Sequence, residues 1–412
     1  MTTPRLLLDM LPAQTGSRLR GLGRFARTLA TGLLQARGDA VSLGASLHAE
    51  QSPQALADSF APLAPRVLAY GDAPRERYWT RAGWERAVLR ERGAFIAASG
   101  ADVVVTPAWF EGWGEHCEPL QPARFANAAS RPLQVAAVHD FIPLQQPAVC
   151  LDPYPGMRRW YERRLAAYGQ ADLLIALSQH VRRKPIETLA VPPARVVVVP
   201  AAVASVFFEA PPQPHAVQAL HARLGLSRPF VMGIGPDDVR KNLGGLLQAW
   251  SRLPGATRQS HQLAIAGVQR GEPLLKRARG LGLAEDELVL LPHVPDTELA
   301  ALYASCRLFV FSSLAEGFGL PVVEAMACGA PVLAGNNTSL PEVVGRADAL
   351  FDAGSADAIA QAMVRGLQDA DWRAALSRHG REHAAGYTQG ALADAVWTAC
   401  EQALAQRMPA AY

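Results

Sequence analysis

The stretch Ser313–Gly329, reading SLAEGFGLPVVEAMACG, constrains this chain more than any other. It is preceded by LFVFS (308–312) and followed by APVLAG (330–335), two short apolar runs of strand type. Pro321 suits the first helical position, where its missing N–H costs nothing. Gly329 suits the residue just past the end, where the backbone turns left-handed. The segment therefore reads strand–loop–helix–strand. Such a unit belongs to α/β folds with a parallel sheet. Glu316 falls in the loop and Glu324 about one turn into the helix.

That placement has chemical consequences. Gly317 and Gly319 let backbone approach a ligand closely. The free N–H groups at the helix start, near Leu320–Val322, form an anion site. Two carboxylates beside an anion site fit a ligand with both phosphates and hydroxyls, as a sugar nucleotide has. The plainer alternative is that Glu316 caps the helix and Glu324 is a solvated charge.

The 412 residues suggest two or three domains, and half of them are hydrophobic, enough for sizeable cores. No apolar run reaches the ~18–20 residues that span a bilayer. The opening MTTPRLLLDMLPAQ reads as a first strand, not as a secretory signal. Five scattered cysteines without CxxC spacing argue against a disulfide framework or a zinc site, and a reducing cytosol is the expected compartment. Residues 1–205 hold 23 Lys+Arg against 17 Asp+Glu, a net +6, and the remainder nets −3. The basic first half is expected to meet an anionic acceptor or the inner face of a membrane peripherally, with a solvated basic face as the alternative. Nucleic acid is not an expected partner, since no recognition motif appears.

Arg5–Leu11 is a strand candidate, followed by Thr15–Arg24 as a Gly-rich loop and an amphipathic helix over about 24–36. Gly21 and Gly23 in RGLGRF (20–25) stand where α/β folds hold phosphates, although the full GxGxxG is absent. Residues 40–100 only alternate short apolar runs with polar, Pro-containing segments. Strand 101–106 empties into PAWFEGWG (107–114), whose Trp109, Phe110 and Trp113 read either as a stacking surface for a sugar or as packing. Strand Leu133–Val138 ends in HDFIPL (139–144), and helix 153–168 carries Arg158, Arg159, Arg163 and Arg164 on one broad side. Strands follow at 171–177 and 195–200.

EAPPQP (209–214) is a Pro-rich link and marks the expected boundary. The expected domains are 1–207 and 208–390, with a last helix at about 391–406 packing back on the first. FVMGIG (230–235) opens the second α/β domain, leading to PDDVRKN (236–242). Lys241 stands out because the chain has three lysines against 37 arginines. Arg240 and Lys241 are two adjacent cations able to neutralise a departing diphosphate. No DxD follows a first-domain strand, so stabilisation without a metal is expected. The alternative is a surface pair at a helix start. Further strands are expected at 262–267 and 288–294, a helix at 296–304, and a strand-end loop at Asn336–Ser339 that touches phosphate.

Glu316-Gly317-Phe318-Gly319-Leu320-Pro321 with Glu324 resembles the E-x7-E signature of retaining glycosyltransferases of family 4. The trailing EAMACGAPV matches as well, and so do RGLGRF, HDFIPL and Arg240-Lys241-Asn242. The resemblance implies a GT-B architecture, two Rossmann-like domains facing across a cleft, with the C-terminal helix returning to the first. It implies a nucleotide sugar as co-substrate, no cofactor and no metal. Glu324 would hold the ribose, and Val294, after His293, would lie beside the base. Gly21, Gly23, Gly317, Phe318, Gly319 and Leu320 would line the donor. His139 and Glu316 would contact the sugar, with Arg240 and Lys241 on the diphosphate. RGLGRF and HDFIPL lean toward GDP-mannose and surface-polysaccharide assembly such as lipopolysaccharide, with a glycan or lipid-linked oligosaccharide acceptor. A UDP-hexose donor and a noncatalytic sugar-binding protein are the alternatives. A nicotinamide dehydrogenase is disfavoured, because Gly233-Ile234-Gly235 continues with Pro236-Asp237-Asp238.

Overall fold

The computed structural model describes residues 3–71, 81–113, 117–120 and 131–407. The chain divides into two compact units, Met1–Ala202 with Gln389–Tyr412, and Val203–Thr388. Gly114, from the aromatic segment, lies outside the described residues.

The first unit holds seven strands: β1 (Leu6–Asp9), β2 (Val41–Ser46), β3 (Arg66–Tyr70), β4 (Val103–Thr106), β5 (Leu133–Val138), β6 (Leu173–Ala176) and β7 (Val196–Val198). Their order is β3-β2-β1-β4-β5-β6-β7, with every pair parallel. β1, β4, β5 and β6 are buried along their whole length, as expected for strands covered on both faces by crossover helices. The second unit holds β8 (Phe230–Ile234), β9 (Gln262–Ala266), β10 (Leu288–Leu291), β11 (Leu308–Phe311), β12 (Val332–Gly335) and β13 (Leu350–Phe351). Their order is β10-β9-β8-β11-β12-β13, again all parallel. Both sheets thus run 3-2-1-4-5-6 in their own counting, the first with a seventh strand added at its end. In each, the order reverses between the first and fourth strands, where doubly wound folds open a crevice at the strand C-terminal ends.

The last helix, Gln389–Arg407, packs on helix Gly21–Arg37 of the first unit. Gly32 allows the close approach, since a side chain there would strike the backbone of Gln389. Arg37 reinforces it with an ion pair to Asp394 at 2.9 Å and a stack on the Trp397 ring at 5.2 Å. Among the described residues, no helix is long and apolar enough to cross a membrane.

Two local readings are corrected and one open alternative is decided. The helix expected from Arg24 begins at Gly21, and a short helix (Leu11–Gln14) and a 3-10 turn (Gly16–Leu19) occupy much of the expected loop. Gly21 and Gly23 therefore lie in a first helical turn. A side chain at Gly23 would collide with Arg18 and Ser17, whereas Gly21 faces open space. Trp109 is buried and donates from Nε1 to the Arg164 carbonyl. Phe110 stacks on Tyr161 at 4.4 Å, and Trp113 packs on Trp160 at 5.3 Å. These rings take the packing alternative. Arg164 is not on an open basic face: it is buried, pairs with Glu118 at 3.2 Å and donates to the Trp109 carbonyl.

Candidate active site

The second unit places Arg240, Lys241 and Glu316 at its switch point. β8 runs into Gly235, whose φ of +144° only glycine adopts readily, and then into a 3-10 turn, Val239–Lys241. Asp238 caps that turn by accepting from the Lys241 N–H at 3.0 Å. Asn242, at φ +52°, ends it and caps helix Leu243–Ser251 by accepting from the Gly245 N–H. The neighbouring strand β11 runs into Ser312–Glu316, and the two exits are sewn together. The Ser312 hydroxyl donates to the carbonyls of Lys241 and Asn242, both at 3.2 Å. The Ser313 hydroxyl and the Leu314 N–H both donate to the Arg240 carbonyl.

This stitching brings Arg240, Lys241 and Glu316 together. Lys241 Nζ lies 2.5 Å from Glu316 Oε1 and 5.2 Å from the Phe311 ring centroid. Arg240 approaches Glu316 Oε2 at 3.5 Å and Asp238 at 3.5 Å. Glu316 is only 8% exposed, so its charge is held out of water against two cations. Such burial is tolerated because the carboxylate is paired. The cluster leaves Arg240 as its more exposed member.

Gly317, Phe318 and Gly319 follow as a buried loop, and helix Leu320–Ala327 begins directly after it. Gly319 sits at φ +106°, and a side chain there would meet Leu340 at 2.8 Å. No side chain caps this helix start. Pro321 and Gly329 stand near its two ends as the sequence indicates, Gly329 at φ +79°. Glu324 points inward: it is 3% exposed and accepts from the Tyr303 hydroxyl at 3.3 Å. It is therefore not a solvated surface charge. Val294 is buried beyond the end of β10, beside an exposed His293.

His139, Gly21 and Gly23 belong to the first unit. His139 Nε2 lies 2.6 Å from the Pro107 carbonyl. A carbonyl only accepts, so Nε2 carries the hydrogen and Nδ1 is left as the acceptor nitrogen. Burial pushes the imidazole pKa down, opposed by that hydrogen bond and by Asp140. The ring is thereby kept neutral. Helix Gly21–Arg37 supplies Phe25, whose ring meets His139 edge-on at 5.1 Å. The glycine-bearing helix and the histidine are thus neighbours. Asp140 accepts from the Ile142 N–H at 3.0 Å and shapes the following turn.

Several residues that shape these loops escaped the motif reading. In the first unit Asp9, at the end of β1, is buried and accepts from Leu11 N–H, Tyr70 hydroxyl and Leu120 N–H. Glu111, buried on the β4 exit, accepts from the hydroxyls of Thr15 and Ser17 at 2.9 and 3.1 Å. The one available signal was an acid closing an otherwise apolar strand, as in LLLD.

The two sheets define a pair of Rossmann-like units, the building blocks of the GT-B fold. HepE of Anabaena, solved in complex with UDP, shares this fold with a TM-score of 0.71 at 17% identity, covering 97% of this chain and 100% of that one. The family described as Glycosyltransferase Family 4 matches residues 19–205, and Glycosyl transferases group 1 matches 222–383. The chain thus carries a family 4 glycosyltransferase domain followed by a group 1 glycosyltransferase domain. It is similar to the serotype-specific mannosyltransferase WbdA of Escherichia coli, 29% identical over 391 residues, covering 91% of this chain and 45% of WbdA. It is also similar to O-antigen chain mannosyltransferase B of Escherichia coli, 36% identical over 234 residues, covering 56% of this chain and 61% of that protein. The chain thus spans about half the length of these curated relatives.

Proposed function

We propose that the chain transfers a mannosyl group, with retention, from GDP-mannose to a hydroxyl of a glycan or lipid-linked oligosaccharide in surface-polysaccharide assembly. The observation that carries this is the Arg240–Lys241–Glu316 cluster at the exits of β8 and β11. In this reading the diphosphate lies against Arg240 and Lys241 and the uncapped start of helix Leu320–Ala327, and the side-chain cations do the work a metal does elsewhere. Gly317, Phe318, Gly319 and Leu320 wall the donor. Val294 lies beside the base, and Glu324 turns from Tyr303 to the ribose. Glu316, already paired with both cations, orients the sugar and steadies the oxocarbenium-like transition state. Neutral His139 offers Nδ1 to a sugar hydroxyl, with Gly21 and Gly23 near the donor phosphates.

The mannosyl choice is supported by the two Escherichia coli relatives, both mannosyltransferases. Peripheral contact with an anionic membrane face belongs to the same reading. It is supported by the +6 of residues 1–205 and by the exposed Val149 and Tyr154 near the Arg158 helix.

The test is a thermal-shift panel of GDP-, UDP- and ADP-sugars, followed by nucleotide release with and without EDTA. GDP-mannose is expected to raise Tm the most, by the ligand linkage that a site loaded ~100-fold above Kd produces, about 2.7 kcal/mol. EDTA is expected to leave release unchanged. Stabilisation by UDP-sugars alone, or loss of release in EDTA, would overturn the donor or the metal-free part respectively.

A further inference from the structure

We infer that Thr338 is a positioning residue for Glu316, and that it acts through the backbone of the site loop. This rests on the proposed role of Glu316. Among the described residues four non-glycines have positive φ: Ala64, Ala190, Asn242 and Thr338. Two of the four flank the charged cluster, Asn242 beside Lys241 and Thr338 against Glu316. Thr338, at φ +47°, is β-branched, and for such a residue a left-handed backbone is a true outlier. Strain of that kind persists only where surrounding contacts over-determine it, and it gathers at functional sites.

Thr338 Oγ1 accepts from the Glu316 N–H at 3.0 Å and donates its own hydrogen bond to Asn337 Oδ1 at 3.2 Å. Asn337 Nδ2 donates to the Ser313 carbonyl at 3.0 Å. The buried Ser339 hydroxyl is shared between the carbonyls of Glu316 and Phe318, at 3.0 and 2.9 Å. Asn337–Ser339, just after β12, therefore grips the Ser313–Phe318 loop from Ser313 to Phe318, with Glu316 held on both its N–H and its C=O.

The left-handed turn at Thr338 belongs to the geometry that sets its hydroxyl under the Glu316 amide while the next residue reaches the Glu316 carbonyl. A glycine would adopt the turn more readily but would bring no hydroxyl. The strain is thus tied to a hydrogen bond that fixes where the carboxylate starts. Glu316 then has little freedom except in its own side-chain torsions, and Lys241 and Arg240 restrict those.

The test compares Thr338→Val, Thr338→Ser and Glu316→Gln in the full chain. Amide hydrogen exchange over 313–319 is read first, without ligand. Thr338→Val is expected to lose about tenfold or more of the protection there, and Thr338→Ser to keep it. GDP release from GDP-mannose is read second. A misplacement of this size is expected to cost about ten- to a hundredfold in kcat for Thr338→Val, with GDP affinity little changed and Thr338→Ser near wild type. Unchanged exchange in Thr338→Val, or equal kcat losses in the Val and Ser variants, would overturn the inference. Full activity in Glu316→Gln would instead overturn the reading of the site, while the exchange result would still judge the clamp.

Discussion

The two units share a strand order but use their switch points differently. In the second, the exits of β8 and β11 bring together Arg240, Lys241, Glu316 and Asp238, all within 4 Å of a partner of opposite charge. In the first, the exits of β1 and β4 carry Asp9 and Glu111, both buried and both accepting from hydroxyl or N–H donors of neighbouring loops. One crevice concentrates paired charge. The other spends its carboxylates on holding its own loops and leaves a neutral histidine near the glycine-bearing helix. In the proposed reading the same topology thus carries the charged part of the chemistry in one copy and mainly shape in the other, which is how one scaffold serves unlike roles.

The largest expected effect breaks that contrast on the charged side. Lys241→Ala removes the 2.5 Å partner of Glu316 and one of two cations for a diphosphate. Turnover of GDP-mannose should fall about 10²–10³-fold, the range seen when one preorganised charge-stabilising donor is lost. A circular-dichroism melt separates this from unfolding. Near-normal turnover would move the chemistry away from the β8 exit.

The next effect falls on the first unit and on stability. Asp9→Ala leaves the Leu120 N–H and the Tyr70 hydroxyl without their carboxylate. The cost should be about 2–4 kcal/mol in urea unfolding, since buried donors lose their acceptor. GDP affinity, which the proposed site assigns to the second unit, should stay within about threefold, because the two sets of residues belong to different units. A variant of unchanged stability but poor GDP affinity would reverse the assignment of roles.

How far the chain could be read from its letters follows the same division. Strands such as VVVT and LFVF are unbroken apolar runs, and the structure finds them within a residue or two. β2 (VSLGAS) and β3 (RVLAY) dilute their apolar content with Ser, Gly and Arg, and β3 is a half-exposed edge strand, so neither rises above its surroundings. β13 has two residues and no pattern to show. Glu316, Arg240 and Lys241 were legible one by one through local motifs. Their direct pairing was not, because it joins residues 75 apart through strand adjacency. The fate of Trp109 and Arg164 depended on the same kind of remote meeting, between the β4 exit and helix Met157–Tyr168. Thr338 was legible only as part of a polar strand-end loop, since a positive φ at threonine has no sequence signal.

The smallest effect tests what the units have in common. His139 in the first and His383 in the second both have pKa values lowered from 6.5, in each case chiefly by burial. For His383 the neighbouring His379 adds repulsion, its ring stacked 5.5 Å away. A histidine held neutral in the fold binds its proton more weakly there than in the unfolded chain. Between the folded pKa and 6.5 the unfolded chain therefore holds more protons, and stability rises with pH across that window. Above it the contribution is full and flat. Tm should accordingly fall as pH is lowered from about 7 toward about 5, the range where histidine charge changes. His139→Gln and His383→Gln should each flatten part of that slope, in differential scanning fluorimetry across the series. A Tm that climbs on acidification would mean the rings are charged in the fold. His139 could not then present a bare Nδ1 to a sugar, so this modest slope bears on the first unit's share of the proposed chemistry.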